Sequence, residues 1–153
     1  MLILEQYSGC DLRGKVKVEG EVAMVKCSVR RAKVGVKVDD GATLALTDSK
    51  VELCASAAVL VAEGGEAIIV RCRLRRSQRG CYVKGKATLE ECEVTQNRGD
   101  GVHAAGEAAL VEVLDCASGT KCVDNDASSW GGADWRASGG GRVTGIAAEK
   151  VRE

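Results

Sequence analysis

The heptad TLEECEV at Thr88–Val94 recurs as AMVKCSV, as IIVRCRL and, with Ser in place of Cys, as ALTDSKV. Internal repetition constrains a chain more than local propensity does, because every copy must solve the same packing problem in the same way. Aligning on the Cys gives register points at Cys10, Cys27, Ser49, Cys72, Cys92 and Cys116, spaced 17, 22, 23, 20 and 24 residues apart. Three positions before them stand Tyr7, Met24, Leu46, Ile69, Leu89 and Val113. Two positions after stand Leu12, Val29, Val51, Leu74 and Val94, and Ser118 breaks the column.

A second pattern follows each heptad. VGVKVDDGA, AAVLVAEGG, RGCYVKGKA and DGVHAAGEA each read as a small residue, an alternating apolar run and a glycine turn, with Gly41, Gly64, Gly85 and Gly106 at matching places. Alternation at period two marks strands with one face buried, and glycine suits turns that need positive φ. The runs are too short and too often broken by glycine for helices. The composition agrees: 3% aromatic, no Phe and no Pro. Such a core must be built from Val, Leu, Ile, Ala and Cys, and a chain without Pro keeps every ladder donor.

Units of roughly 20–24 residues, each unable to bury its own apolar face, must stack into a solenoid. The motif apolar-x-x-Cys-x-apolar, then Gly-apolar-x-apolar and Gly, resembles the right-handed parallel β-helix repeat. That repeat occurs in pectate lyases, polygalacturonases and the sugar-hydrolase-like repeat region of certain F-box proteins. The resemblance covers about residues 1–116 and implies an all-β solenoid of about five to six short coils with an irregular C-terminal cap. On this reading residues 1–123 form the coils and 124–153 a tail or cap. Leu89, Cys92 and Val94 point into the tube, while Glu90 and Glu91 round a corner. The Cys stack is packing, with Ser49 replacing Cys sterically. Successive rungs lie about 4.8 Å apart, so an oxidised pair such as Cys72 and Cys92 is within geometric reach.

The outward residues also fall into columns. Lys26, Asp48, Arg71, Glu91 and Asp115 precede the register points; Asp11, Ser28, Lys50, Arg73 and Glu93 follow them; Arg13, Arg30, Glu52, Arg75 and Thr95 come two further on. Alternating sign on adjacent strands stabilises correct stacking, by about 0.2–1 kcal/mol per pair. It also accounts for 22 basic residues balancing 22 acidic ones. The resemblance offers another role, because enzymes of this fold carry acidic residues, calcium and an arginine on an outer face. Asp48, Arg71, Glu91 and Asp115 would be the catalytic column under that alternative. Against it, Asp48 is flanked by Lys26 and Arg71, the loops are tight, and Tyr82 is the one outward aromatic of the coils.

Arg30, Arg31, Arg75, Arg76 and Arg79 form a basic corner with Glu52 between the two coils, a binding candidate for an acidic partner or sulfated polymer. His103 shares an outward column with Lys37, Leu60 and Tyr82 and reads as a surface residue. Trp130 and Trp135 suggest a lid over the C-terminal end, with sugar stacking as the other option, and residues 141–151 suggest one last strand or edge segment.

The expected function is a non-catalytic structural or macromolecular-interaction scaffold that binds a protein partner, or itself, through its faces or open ends. The alternative is a carbohydrate-active β-helix protein. Zero net charge argues against nucleic acid. The opening MLILEQYSGC has neither a basic n-region nor a membrane-length apolar run, which suggests an intracellular, non-membrane protein. The eight Cys lack paired CxxC spacing, so no metal or cofactor is expected.

Overall fold

The structure, a computed structural model, describes residues 4–114, 121–123, 125, 134–146 and 150–152. Strands β1 (Leu4–Ser8), β2 (Asp11–Arg13) and β3 (Val16–Val18) make the first turn of the chain, and β4 (Glu21–Val25), β5 (Ser28–Arg30) and β6 (Val34–Val38) the second. The third holds β7 (Thr43–Thr47), β8 (Lys50–Glu52) and β9 (Ala57–Val61). The fourth holds β10 (Glu66–Val70), β11 (Arg73–Arg75) and β12 (Arg79–Val83). Then come β13 (Lys86–Glu90), β14 (Glu93–Thr95) and β15 (Val102–Ala105), followed by β16 (Leu110–Leu114), β17 (Lys121–Val123) and β18 (Trp135–Ser138). β19 (Arg142–Thr144) and β20 (Val151–Arg152) complete the series.

First strands pair only with first strands, second with second and third with third, always parallel. The result, among the described residues, is three sheets of seven, six and seven strands, here sheets 1, 2 and 3, wrapped around one core. This is an all-β parallel solenoid.

The register follows the sequence columns. Tyr7, Met24, Leu46, Ile69, Leu89 and Val113 lie opposite one another along sheet 1. Leu12, Val29, Val51, Leu74 and Val94 do so along sheet 2. Leu89, Cys92 and Val94 are buried, whereas Glu91 is exposed.

Two corners of each turn are made by left-handed residues that are mostly not glycine. Gly9, Lys26, Asp48, Arg71 and Glu91 form one such column, and Gly14, Arg31, Leu53, Arg76 and Gln96 the other. A side chain in this conformation costs about 1–2 kcal/mol, which the pairing on both sides must outweigh.

Glycine is required elsewhere, for space. Between sheets 2 and 3 a Cβ on Gly35 would sit 2.4 Å from Val51 Cγ1, and one on Gly80 2.4 Å from Val94 Cγ1. Gly85 departs from its expected place: its φ is not positive, and Lys86 N and Leu110 N bond Gly65 O and Gly85 O in succession. Its equivalent is therefore Gly65 rather than Gly64, because the turn after β12 is two residues shorter than the one after β9. A Cβ on Gly85 would meet Gly65 O at 2.3 Å.

Cys122, not Ser118, lies opposite Val94, so the chain gains four residues after Leu114, which itself keeps register with Glu90. Ser118 and the register point Cys116 fall outside the described residues, as does Trp130. The sheets also run past residue 123, into the stretch that the sequence suggested as a tail or cap. β18, β19 and β20 add parallel strands to sheets 3 and 1, and Arg142–Thr144 is the strand expected within 141–151. Trp135 is only 4% exposed and lies opposite Val102, so it fills the tube as an inward rung residue, neither lid nor sugar platform.

The seven described cysteines are free. Cys72 Sγ donates to Leu46 O and Val70 O, both at 3.2 Å, and Cys92 Sγ to Ile69 O at 3.1 Å and Glu90 O at 3.3 Å. Each thiol is spent on carbonyls of its own and the preceding rung instead of on a Cys72–Cys92 bond. Ser49 does more than fill space: its Oγ accepts from Cys27 N at 3.1 Å and donates to Thr47 O at 2.8 Å.

A polar ladder that the sequence reading missed runs at the other corner. Cys54 N donates to Ser77 Oγ and Ser77 N to Asn97 Oδ1, each at 3.1 Å, and Asn97 N to Asn125 Oδ1 at 3.2 Å. The ladder supplies acceptors to N–H groups that the corner removes from the sheets.

Candidate functional site

In the column given as the catalytic alternative, Arg71 and Asp48 form an ion pair at the first left-handed corner. Arg71 holds Asp48 with two bonds, Nε to Oδ1 at 2.8 Å and Nη2 to Oδ2 at 3.3 Å. The bond from Arg71 lowers the Asp48 carboxyl below its ordinary range, and Asp48 in turn raises Arg71, with weaker pulls from Glu91 and Glu90. An arginine clamped in this way offers no free base or open cation position. Asp115 lies outside the described residues. Among the described residues no three His, Cys, Asp or Glu side chains come together to hold a metal ion.

The basic corner divides into three parts. Arg30 pairs with Asp11 at 3.1 Å and Arg75 with Glu52 at 2.9 Å, while Lys50 reaches the other Glu52 oxygen at 3.2 Å. Glu52 therefore neutralises Arg75, but Asp11 is the bonded partner of Arg30. Burial pushes the Glu52 carboxyl up, yet bonds from Arg75 and Lys50 outweigh it and the net shift is downward. Arg31 and Arg76 stand exposed at the second left-handed corner, two coils apart with Leu53 between them. Arg76 Nε lies 3.4 Å from Gln96 Oε1. Arg79 belongs elsewhere: as the first residue of β12 it turns onto the outer face of sheet 3 and covers the Tyr82 ring at 4.9 Å.

That face carries a cluster the sequence reading did not assemble. Lys37, Leu60, Tyr82 and His103 share the expected outward column, and Arg136 continues it. Tyr82 and His103 meet edge to face at 5.1 Å. His103 Nε2 lies 2.7 Å from Ser138 Oγ, and Nδ1 lies 3.2 Å from Asp100 Oδ2, an off-axis ion-pair approach rather than an aligned hydrogen bond. Asp100, 8% exposed at its side chain, also receives Arg136 Nε at 2.8 Å, with Arg79 Nε at 3.9 Å. A hollow of about 490 Å³ beside Tyr82 is lined by Glu63, Lys84 and Glu107. Only the pairing of β15 with β18 brings Ser138 to His103. Asp100, three residues before His103, was the one part a sequence scan could have flagged.

The outer face of sheet 1 is different in kind. Its middle column carries Ala23, Ala45, Ile68, Thr88 and Glu112, and one side carries Val25, Thr47, Val70, Glu90 and Leu114. Ile68 is 40% exposed and Leu114 44%. Along the other side run Glu21, Thr43, Glu66, Lys86, Leu110 and Arg142, acidic toward one end and basic toward the other.

Stacked parallel strands in three sheets define the class of a β-solenoid with its chemistry on its outer faces. The sequence matches the family described as "right handed beta helix region" over residues 5–118, and the chain belongs to that family. No curated protein and no solved structure matches it. No helix among the described residues is long and apolar enough to cross a membrane.

Proposed function

We propose that this chain is a structural and macromolecular-interaction scaffold that docks the outer face of sheet 1 against the same face of a second copy. One observation carries the reading: the charge order of the Glu21–Arg142 column. If two copies meet face to face and antiparallel, about an axis along the strands, Glu66 falls opposite Lys86 of the second copy. Glu21 then falls opposite its Arg142, and the uncharged centres around Ile68 and Thr88 meet. Antiparallel packing thus pairs opposite charges along that column, while Glu112 falls opposite Ala45 and Glu90 opposite Val70 at the edges of the contact.

Six rungs of five residues make a face of roughly 29 by 17 Å, about 500 Å². This is smaller than the roughly 800 Å² per partner of a stable complex, so affinity is micromolar or weaker. Sedimentation velocity over roughly 5–500 µM is the test, since that range brackets a micromolar equilibrium. Reversible dimerisation is expected, abolished by Ile68→Lys and weakened by Glu66→Lys. Adding Lys86→Glu to the Glu66→Lys variant should restore it. A monomer throughout the range overturns the reading, and an unaffected Ile68→Lys dimer moves the interface off this face.

The carbohydrate-active alternative is favoured by the hollow beside Tyr82, where carboxylates and an aromatic edge are combined. Its test is incubation with uronic-acid polymers and calcium, read by unsaturated or shortened products.

A further inference from the structure

Carboxylate, imidazole and hydroxyl stand in sequence at sheet 3, the carboxylate just before β15, in the order that makes a serine nucleophilic. Asp100 approaches Nδ1 of His103, and Ser138 Oγ approaches Nε2 at 2.7 Å. A carboxylate beside Nδ1 favours the tautomer protonated there, which leaves Nε2 as the acceptor for the Ser138 hydroxyl. Arg136 fixes Asp100 from one side through Oδ1, and Tyr82 packs against the imidazole from the preceding rung. The base is therefore held by its neighbours on both sides.

The hydroxyl is placed for access. Ser138 ends β18 and opens the turn Ser138–Gly141, closed by Gly141 N donating to Ser138 O at 3.0 Å. Gly139 and Gly140 both have positive φ, +59° and +88°, the pattern of a type I′ turn. Both are exposed, and a small hollow of about 200 Å³ is lined by Ala137, Ser138 and these glycines. Main-chain N–H groups beside a nucleophile are the donors that an acyl oxyanion needs. A hollow of this size suits a short acyl chain.

We infer that Asp100, His103 and Ser138 form a serine-nucleophile site that hydrolyses small acyl esters. Ser138 Oγ bonds to the ester carbonyl carbon as its proton passes to His103 Nε2. The carbon–oxygen bond to the alcohol breaks, and the alcohol leaves with that proton. Water then attacks the acyl-serine, His103 again taking and returning a proton, and the carboxylic acid departs with the hydroxyl regenerated. Arg79 and Arg136 act as positioning residues, holding Asp100. This site lies on a different sheet from the docking face and does not depend on it.

The experiment combines p-nitrophenyl acetate hydrolysis with labelling by a fluorophosphonate, the adduct located by peptide mass mapping. Adduct on Ser138 is expected, with Ser138→Ala abolishing it and His103→Gln slowing hydrolysis at least ~100-fold. Removing a partly exposed hydroxyl should leave the circular dichroism and Tm of Ser138→Ala unchanged, so loss of labelling would report chemistry and not unfolding. Absence of label on Ser138, hydrolysis undiminished in Ser138→Ala, or His103→Gln labelling at the wild-type rate would each overturn the proposal.

Discussion

Asn97 and Asn125 stand one rung apart at the same corner, and Asn97 Nδ2 donates to Asn125 Oδ1 at 2.8 Å. The same Nδ2 lies 3.2 Å from Leu74 O, while Oδ1 accepts from Ser77 N at 3.1 Å. Asn97 is wholly buried, so each of these main-chain groups depends on it. Asn97→Leu keeps the γ-branched shape but removes the acceptor of Ser77 N and the donor to Leu74 O, and its methyl groups are bulkier than the amide. An unsatisfied buried group costs about 1–3 kcal/mol, so a loss of ~2–5 kcal/mol is expected in urea unfolding. Asn97→Ser, which keeps an acceptor, should lose less.

The stacked thiols give a second expectation. Burial pushes Cys72 and Cys81 up to about 12 and raises Cys92 as well. At pH 8 the reactive thiolate of a thiol titrating near 12 is about one part in 10⁴, so Ellman's reagent should reach Cys72 and Cys81 only through unfolding, and buried Cys92 should also react slowly. Half-buried Cys10 should react first. A raised folded pKa also means that stability is intact below the unfolded value of 9.0 and falls as pH climbs from there toward 12. Cys92→Asp, which places an unpaired carboxylate in the tube, should cost at least ~3 kcal/mol in urea unfolding.

The close approach between sheets 2 and 3 and the left-handed corner make a third. Gly80 has no room for a Cβ, with Val94 Cγ1 at 2.4 Å and Gly101 O at 2.6 Å. Gly80→Ala should cost ~1–3 kcal/mol by overpacking. At the left-handed corner the limit is conformational. Gln96, with φ of 57°, should tolerate Asn or Gly, whereas Gln96→Val should lose ~1–3 kcal/mol because a branched Cβ is strained there. Thermal melts of both series separate crowding from strain.

The fold was legible because its columns repeat residue by residue: Met24, Leu46, Ile69 and Leu89 are the same kind of residue doing the same job. The Arg71–Asp48 pair was legible for the same reason, being one alternation within a column. What a column hides is a change of role at constant position. Ser49 and Ser77 look like small residues in the sequence, yet their oxygens accept main-chain N–H groups. Register also fails where the chain gains residues, which is why Ser118 stood in for Cys122 and why β18 was read as part of a tail or cap. The Asp100–His103–Ser138 cluster lies across that insertion. Its residues are 35 apart from His103 to Ser138, and only the ladder between β15 and β18 makes them neighbours.

Glu52 supplies the last expectation, the acid limb of stability. Its side chain is 8% exposed, between Arg75 at 2.9 Å and Lys50 at 3.2 Å, and its carboxyl titrates below the ordinary value of 4.5. A carboxyl depressed in the folded state contributes stability that is complete above the unfolded pKa and lost as pH falls through the folded one. Asp48, depressed by Arg71, acts in the same direction, but its exposure makes the effect sensitive to salt. Tm should therefore hold level from neutral pH to about 5 and decline below that, as unfolded carboxylates begin to bind protons. Glu52→Gln should lower Tm at pH 7, since it leaves Arg75 beside a neutral amide, and should flatten the decline on the acid side. A variant whose Tm falls as steeply as the wild type between pH 5 and 3 would place the acid sensitivity in other carboxylates.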